Sequence, residues 1–324
     1  MAGSGYLYII GLGRSGTTLL SNLLNRSSHV FIAPETKFFL HVWSQRLFLS
    51  LLPRRARAEA IVERLMVSEY PRDPAIFPEH RDEFVRILTE TESLTAGFPR
   101  LLSSLSDRPV LGEKTPWHTL FVEAILQATP DARFLAMTRS APATVASTLG
   151  RDGFRRVGTV HQCVARWLHF NRELVRLQDA LPGRVLLLRF EDLVLEPQAT
   201  MQRVANFIGI PLEPVMLEPT HQDSSLRPAA SEPGMDTGAV DRWTAKLSSV
   251  RLQQVEALTW QVSHRLGYDA QPAEPRLSDK VRVAAEIGVL RFMTLLMRGG
   301  LYPVGAATDA LRARVRHFAA RWGS

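Results

Sequence analysis

The chain has 324 residues, of which 45% are apolar and 22% charged, so disorder of the whole chain is excluded and a sizeable core can form. Its formal charge is +7, from 39 Lys and Arg against 32 Asp and Glu, and lysine stands only at Lys37, Lys114, Lys246 and Lys280. An arginine-rich balance arises from compositional bias alone, yet arginine's planar fork also suits phosphate and sulfate, which keeps an anionic ligand in view.

In chain order, residues 6–10 form a continuous apolar run of strand length, and residues 17–25 carry helical spacing after a glycine loop. A second apolar run, residues 30–33, ends at Pro34-Glu35. From Lys37 to about Leu105 the pattern is mostly helical, broken at Pro53 and around "YPRDPAIFP". Residues 109–111 are a small strand candidate leading into "GEKTPWH". Residues 133–138 ("RFLAMT") predict a buried strand, 142–149 a helix and 161–181 a longer helix. Residues 184–190 ("RVLLLRF") predict another buried strand, and 197–208 a helix closed by Gly209. Continuous apolar strands alternating with helices argue for an α/β fold with a central parallel sheet covered on both faces.

Residues 221–238 are rich in Pro, Ser, Asp and Gly and read as a loop, with the makings of a lid. Beyond Pro275 the chain is helical and basic, in "DKVRVAAEIGVLRFMTLLMRGG" and then "ATDALRARVRHFAARW". Amphipathic helices packed on the domain are one reading. A peripheral membrane or partner contact is the other, because Leu290, Phe292, Leu295 and Leu296 alternate with arginines. The expected division is a domain over residues 1–270, with a helical substrate region at about 37–105, and a basic helical extension over 271–324. The lone cysteine, Cys163, excludes an intrachain disulfide and a Cys-based zinc cluster and fits a reducing compartment. The run at residues 6–10 is too short for a secretory signal, and no uncharged run of about 18 residues appears. The expected location is therefore cytoplasmic, with no nucleic-acid partner.

The octet "GLGRSGTT", Gly11 to Thr18, satisfies two patterns at once. It is a Gly-x-Gly-x-x-Gly dinucleotide fingerprint, and it is also a phosphate-binding P-loop whose lysine has become Thr17. Both present backbone N–H groups and the positive end of a helix dipole to an anion. Glu35 is placed where a dinucleotide's ribose would want an acid, so a nicotinamide-dependent oxidoreductase stays open on spacing alone. Arg14 inside the loop and the hydroxyls of Thr17 and Thr18 favour a loop that wraps a phosphate group. A metal-dependent kinase loses its main parts, since Thr17 is uncharged and the 133–138 strand runs into Arg139 where a Mg²⁺-binding acid is wanted. Glu191-Asp192 is open to misreading as such an acid. A nucleotide-binding protein without catalysis is the third reading.

With "GLGRSGTTLL", "PETKFF", "GEKTPWH", "RFLAMTRSAPATVAS" and "LLLRFEDL" in this order, the sequence resembles the sulfotransferases that use 3′-phosphoadenosine-5′-phosphosulfate (PAPS). It is most similar to the branch of tyrosylprotein, carbohydrate and bacterial enzymes, whose loop carries arginine where cytosolic members carry lysine. The resemblance runs from about Tyr6 to Ile210, with a weaker echo at residues 241–246. It implies a P-loop-like three-layer fold, PAPS as co-substrate, adenosine 3′,5′-bisphosphate as product, a hydroxyl-bearing acceptor and no metal. Arg14, Ser15, Gly16, Thr17 and Thr18 map onto the grip on the 5′-phosphosulfate. Arg139 and Ser147 have the spacing of the 3′-phosphate site. Phe190 stands where the family's adenine pocket often has Tyr, and Arg242 with Trp243 stand in for a missing basic loop. Glu35 matches the acidic base of the branch and Lys114 a lysine near the bridging oxygen. His118 is a second candidate base, displaced from the family's usual position by two residues.

Overall fold

The computed structural model describes residues 5–66, 78–149, 159–219 and 235–302. Most of the expected loop at 221–238 and the second C-terminal stretch lie outside those residues. Five strands, β1 (Gly5–Gly11), β2 (Val30–Ala33), β3 (Val110–Lys114), β4 (Arg133–Thr138) and β5 (Val185–Arg189), form one sheet in the order β2-β3-β1-β4-β5. Every neighbouring pair is parallel.

The strands are apolar throughout because both faces are covered. Along β1, Tyr8 and Ile10 enter one core while Leu7 and Ile9 enter the other. Phe134 and Ala136 of β4 divide from Leu135 and Met137 in the same way. Each large side chain so buried contributes roughly 1.5–3 kcal/mol.

One face is covered by α1 (Thr17–Asn25) near the start of the chain, and later by α10 (Phe190–Leu195) and α11 (Pro197–Ile208). The opposite face carries the longer run of helices. It begins with α2 (Phe38–His41), α3 (Arg46–Ser50), α4 (Arg54–Met66), α5 (Arg81–Glu90) and α6 (Gly97–Leu105). It continues with α7 (Val122–Ala128), α8 (Ala141–Leu149), α9 (Val160–Ala180), α12 (Ser249–Arg265) and α13 (Leu277–Gly299). The three-layer α/β fold is thus the one the strand and helix pattern implied.

Several boundaries coincide with the sequence reading, and the departures have physical causes. Strand β3 extends to Lys114, well past Leu111, so that Glu113 and Lys114 are strand residues buried at the sheet's carboxyl edge. Helix α12 was not anticipated; its start is capped by Ser248, whose hydroxyl accepts from Arg251 N. Helix α13, the first part of the expected extension, lies along α9, and its Val283, Ile287 and Met297 join the larger core. Among the described residues, no helix is long and apolar enough to cross a membrane.

Candidate active site

The apolar run of β1 ends at Gly11, where φ is +150° and an added Cβ would lie 2.3 Å from the Met137 carbonyl oxygen of β4. Only glycine lets the loop leave the sheet so close to its neighbour. Arg14 and Gly16 both take left-handed backbone angles, φ +80° and +88°, which turn the chain into α1. No side chain caps α1, so its first amides and the positive end of its dipole are left for a ligand. Ser15 departs from expectation: it is buried, and both its amide (3.2 Å) and its hydroxyl (2.6 Å) donate to Leu12 O, so it closes the turn from inside.

Arg139 follows the last residue of β4, at the carboxyl end of the sheet where parallel folds place their ligands. Its guanidinium donates to Ala239 O (2.6 Å) and Arg14 O (3.5 Å) and lies over the Phe190 ring, 4.3 Å from the centroid. The Trp167 indole N–H donates to Arg139 O at 2.9 Å and fixes its backbone. Nearby, Arg14 Nε donates to Ser147 Oγ at 3.2 Å. The two expected phosphate grips therefore meet. A single pocket is lined by Arg14, Gly16, Thr17 and Thr18 of the loop and by Arg139 and Ser147 of the second site. Arg242 and Trp243 line the same pocket, with Lys246 beside them. Arg242 donates to Gly238 O at 3.2 Å and pairs with Asp236.

Phe190 lines this pocket too, but its ring face is taken by Arg139 and its edge wedges against Gly16, where a Cβ would sit 2.5 Å from Phe190 Cδ2. It supports the loop and Arg139 from the wall of the pocket. The following residues brace the second site. Glu191 accepts from Ser140 N and from the Tyr268 hydroxyl, each at 3.0 Å, while Asp192 pairs with Arg189. Burial, with Glu191 alongside, pushes the Tyr268 hydroxyl well up, so it remains a donor. These two acids are engaged in holding the start of α8 and the end of β5.

A second cluster lies at the ends of β2 and β3. The register sets Ala33 beside Glu113 and Ile9 beside Lys114, so the loop after β2 passes the carboxyl end of β3 next to β1. There Lys114 Nζ donates to Glu35 Oε1 at 2.9 Å, and the two side chains are only 3% and 8% exposed. Lys114 is two residues short of Gly11 in register, about 7 Å along the strand. Beneath the pair, Glu113 Oε1 accepts from Thr36 N (2.9 Å), Thr36 Oγ1 (3.0 Å) and Thr115 Oγ1. Burial pushes the Glu113 carboxyl up, but the facing His118 ring and these donors outweigh it and hold it below the usual range.

His118 is fully buried within this network. Its Nε2 accepts from Phe39 N at 3.3 Å, and its Nδ1 faces Glu113 Oε2 at 2.9 Å, out of line for a hydrogen bond. Both ring nitrogens are thus engaged within the protein, Nε2 by Phe39 N and Nδ1 by the Glu113 carboxylate it faces. The ring thereby ties β3 to the start of α2, just after Glu35 and Lys37.

A model described as the sulfotransferase family matches residues 7–214, more than half of the chain. The chain belongs to the sulfotransferase family. It is 23% identical over 278 residues to a protein-tyrosine sulfotransferase of Drosophila melanogaster, covering 84% of this chain and 50% of that protein. Over 106 residues it is 30% identical to carbohydrate sulfotransferase 2 of Homo sapiens, covering 31% of this chain and 20% of that protein. The chain thus spans half or less of the length of these curated relatives. Among solved structures, the sulfotransferase domain from the curacin biosynthetic pathway superposes with a TM-score of 0.57 at 18% identity, covering 82% of this chain and 99% of that domain. The sulfotransferase domain of the Synechococcus PCC 7002 olefin synthase gives the same TM-score at 17% identity, covering 84% and 98%. Both likenesses concern the fold.

In a member of this family the oxidoreductase reading of the Gly11-Gly13-Gly16 spacing gives way, and Glu35 is engaged by Lys114. The residues that sequence reasoning missed are Glu113, Tyr268, Asp236 and Lys246. Glu113 stood within the quoted "GEKTPWH", but its partner Thr36 is 77 residues away and no local pattern announces the contact. Lys246 stood in the echo at 241–246, one of only four lysines, and was legible on that ground.

Proposed function

We propose that this chain moves the sulfuryl group of PAPS to a hydroxyl acceptor, without a metal, and releases adenosine 3′,5′-bisphosphate. The observation that carries the proposal is the meeting of Arg14 with Ser147 and of Arg139 with the Arg14 carbonyl, which makes one pocket of two anion grips. Its donor set suits a ligand with an anionic group at each end: the uncapped start of α1 and Arg14 on one side, Arg139 and Ser147 on the other. Bound there, PAPS supplies a sulfuryl group on a good leaving phosphate.

Arg14, the amides at the start of α1 and the hydroxyls of Thr17 and Thr18 hold the 5′ side. Arg139 and Ser147 hold the 3′-phosphate, with Phe190 fixing the guanidinium. Trp243, with Arg242 and Lys246, forms the far wall and offers the apolar surface a base requires. Glu35 takes the acceptor's hydroxyl proton as the new S–O bond forms, and Lys114 neutralises charge on the departing phosphate oxygen. In this reading His118 is a positioning residue, since its lone pair is spent on Phe39 N. A hydroxyl acceptor agrees with the tyrosine and carbohydrate substrates in the relatives' names. A reducing, cytoplasmic setting accords with the single cysteine, whose thiol burial pushes up to about 11. The test is transfer of labelled sulfate from PAPS across a panel of hydroxyl acceptors. Transfer that Glu35→Ala abolishes supports the reading; bisphosphate binding with no transfer to any acceptor makes the chain a binder without catalysis.

A further inference from the structure

Helix α13 is amphipathic twice over. One stripe, including Val283, Ile287 and Met297, is buried along α9. On the opposite side Leu277, Val281, Phe292 and Leu295 recur at helical spacing, and each is more than half exposed. The helix's two acids turn toward α9: Asp279 pairs with His161 at 2.8 Å, and Glu286 accepts from Gln162 at 3.2 Å. The basic side chains Arg282 and Arg291 of the helix are exposed, as is Lys280, which pairs with Glu274 at 3.1 Å.

The stripe continues onto a second element. Gly300, at the end of α13, packs against the Arg46 side chain, and Tyr302 N donates to Ser44 O at 3.0 Å. This seats the helix end beside α3, where Leu47, Phe48, Leu51 and Leu52 are exposed, Leu51 to 81%. Leu301 is exposed at the junction, and Arg54 and Arg55 follow at once on the surface. Among the described residues, the other exposed large apolar side chains are Val289, also on α13, and Leu195 and Val250 elsewhere. In the sequence after Tyr302, Arg312, Arg314, Arg316 and Arg321 stand against Asp309 alone.

We infer that the α3–α13 face docks on an anionic lipid surface. Exposed Phe and Leu side chains interleaved with long cationic ones bury their apolar ends among acyl chains while the charges reach the headgroups. A second copy of the chain is a poor occupant, because self-pairing would bring two rows of Lys and Arg together. The inference stands whichever acceptor the pocket's chemistry serves.

The test is sedimentation of the full chain with vesicles of phosphatidylcholine alone and with roughly a third phosphatidylglycerol. Binding to the anionic vesicles should exceed binding to the neutral ones at least about tenfold and fall as salt approaches about 1 M. Phe292→Glu with Leu295→Glu, and separately Leu51→Glu, should each cut vesicle binding by about tenfold or more. Their melting temperatures should stay unchanged, since these side chains are exposed. The inference is overturned if the folded chain ignores anionic vesicles, or if neither variant reduces binding. A dimer in solution that the same variants split would also overturn it, by assigning the face to a second copy.

Discussion

Lys114 Nζ and Glu35 Oε1 lie 2.9 Å apart across the ends of adjacent parallel strands, almost sealed from solvent. An ion pair so placed is weak grounds for stability, because desolvation offsets much of its attraction. Its proposed value lies in setting a carboxylate and an ammonium side by side near the glycine loop after β1. In the proposed reaction one takes a proton while the other meets developing negative charge.

If this division of labour holds, Glu35→Gln lowers turnover by at least about 100-fold while bisphosphate affinity stays within about twofold. Lys114→Met also lowers turnover, and it leaves a buried carboxylate unpaired, which costs about 3–5 kcal/mol. Combining the two substitutions should recover part of that stability but none of the activity. Steady-state kinetics and urea unfolding separate these outcomes.

Arg14→Ala and Arg139→Ala should each weaken adenosine 3′,5′-bisphosphate by about 10–100-fold, the loss of charge-assisted hydrogen bonds worth about 1.5–3 kcal/mol. Arg139 also bonds Ala239 O and covers Phe190, so its loss should lower the melting temperature more than the loss of Arg14. Calorimetry and thermal unfolding of both variants check this.

Gly16→Ala tests the fit of loop against wall. A left-handed φ of +88° costs a non-glycine residue about 1–2 kcal/mol, and the new methyl meets Phe190 Cδ2 at 2.5 Å. Nucleotide binding should fall sharply, and adding Phe190→Leu should recover part of the stability, leaving only the backbone strain. Unfolding of the single and double variants gives the comparison.

How far the sequence carried these assignments depended on how local the signal was. Residues 17–25, 30–33, 133–138 and 197–208 became elements with the same bounds, because continuous or amphipathic apolar runs end there at glycine, proline or charged residues. The glycine loop was legible from its local pattern, while Arg139 and Ser147 were singled out through the family resemblance and line the same pocket as that loop. What the sequence withheld is contact across the fold. Ser15 turns inward to Leu12, Phe190 lies under Arg139, and His118 gives its lone pair to Phe39 N, 79 residues away. Glu113 carries no local signal, and it is the pairing of β2 with β3 that brings Thr36 to its carboxylate.

The loop after α1 gives a pH prediction. Ser27 above all, with His29 and Ser28, holds the Glu213 carboxyl at about 2, against an ordinary value of 4.5. A depressed folded value means the folded state binds the proton less readily than the unfolded chain. The stabilisation is therefore fully present above pH 4.5 and is lost as pH falls toward 2. Glu213→Gln should melt lower than the parent at neutral pH and converge with it at the acid end. A melting profile against pH shows whether the gap closes.

Chelation separates the proposed chemistry from phosphoryl transfer. The pocket supplies its positive charge through Arg14, Arg139, Arg242 and Lys246. Sulfate transfer should accordingly survive excess EDTA unchanged, whereas an abrupt loss would assign the charge at the reacting centre to a metal.

In the proposed function Arg14 and Arg139 grip the two ends of one bisphosphate nucleotide. Isothermal calorimetry of the full chain with adenosine 3′,5′-bisphosphate, run beside Arg14→Ala, Arg139→Ala and an NADH comparison, tests it most directly. The expected result is one site of about micromolar affinity, weakened in both variants, with no response to NADH. Absent binding, or binding that neither substitution alters, would contradict it.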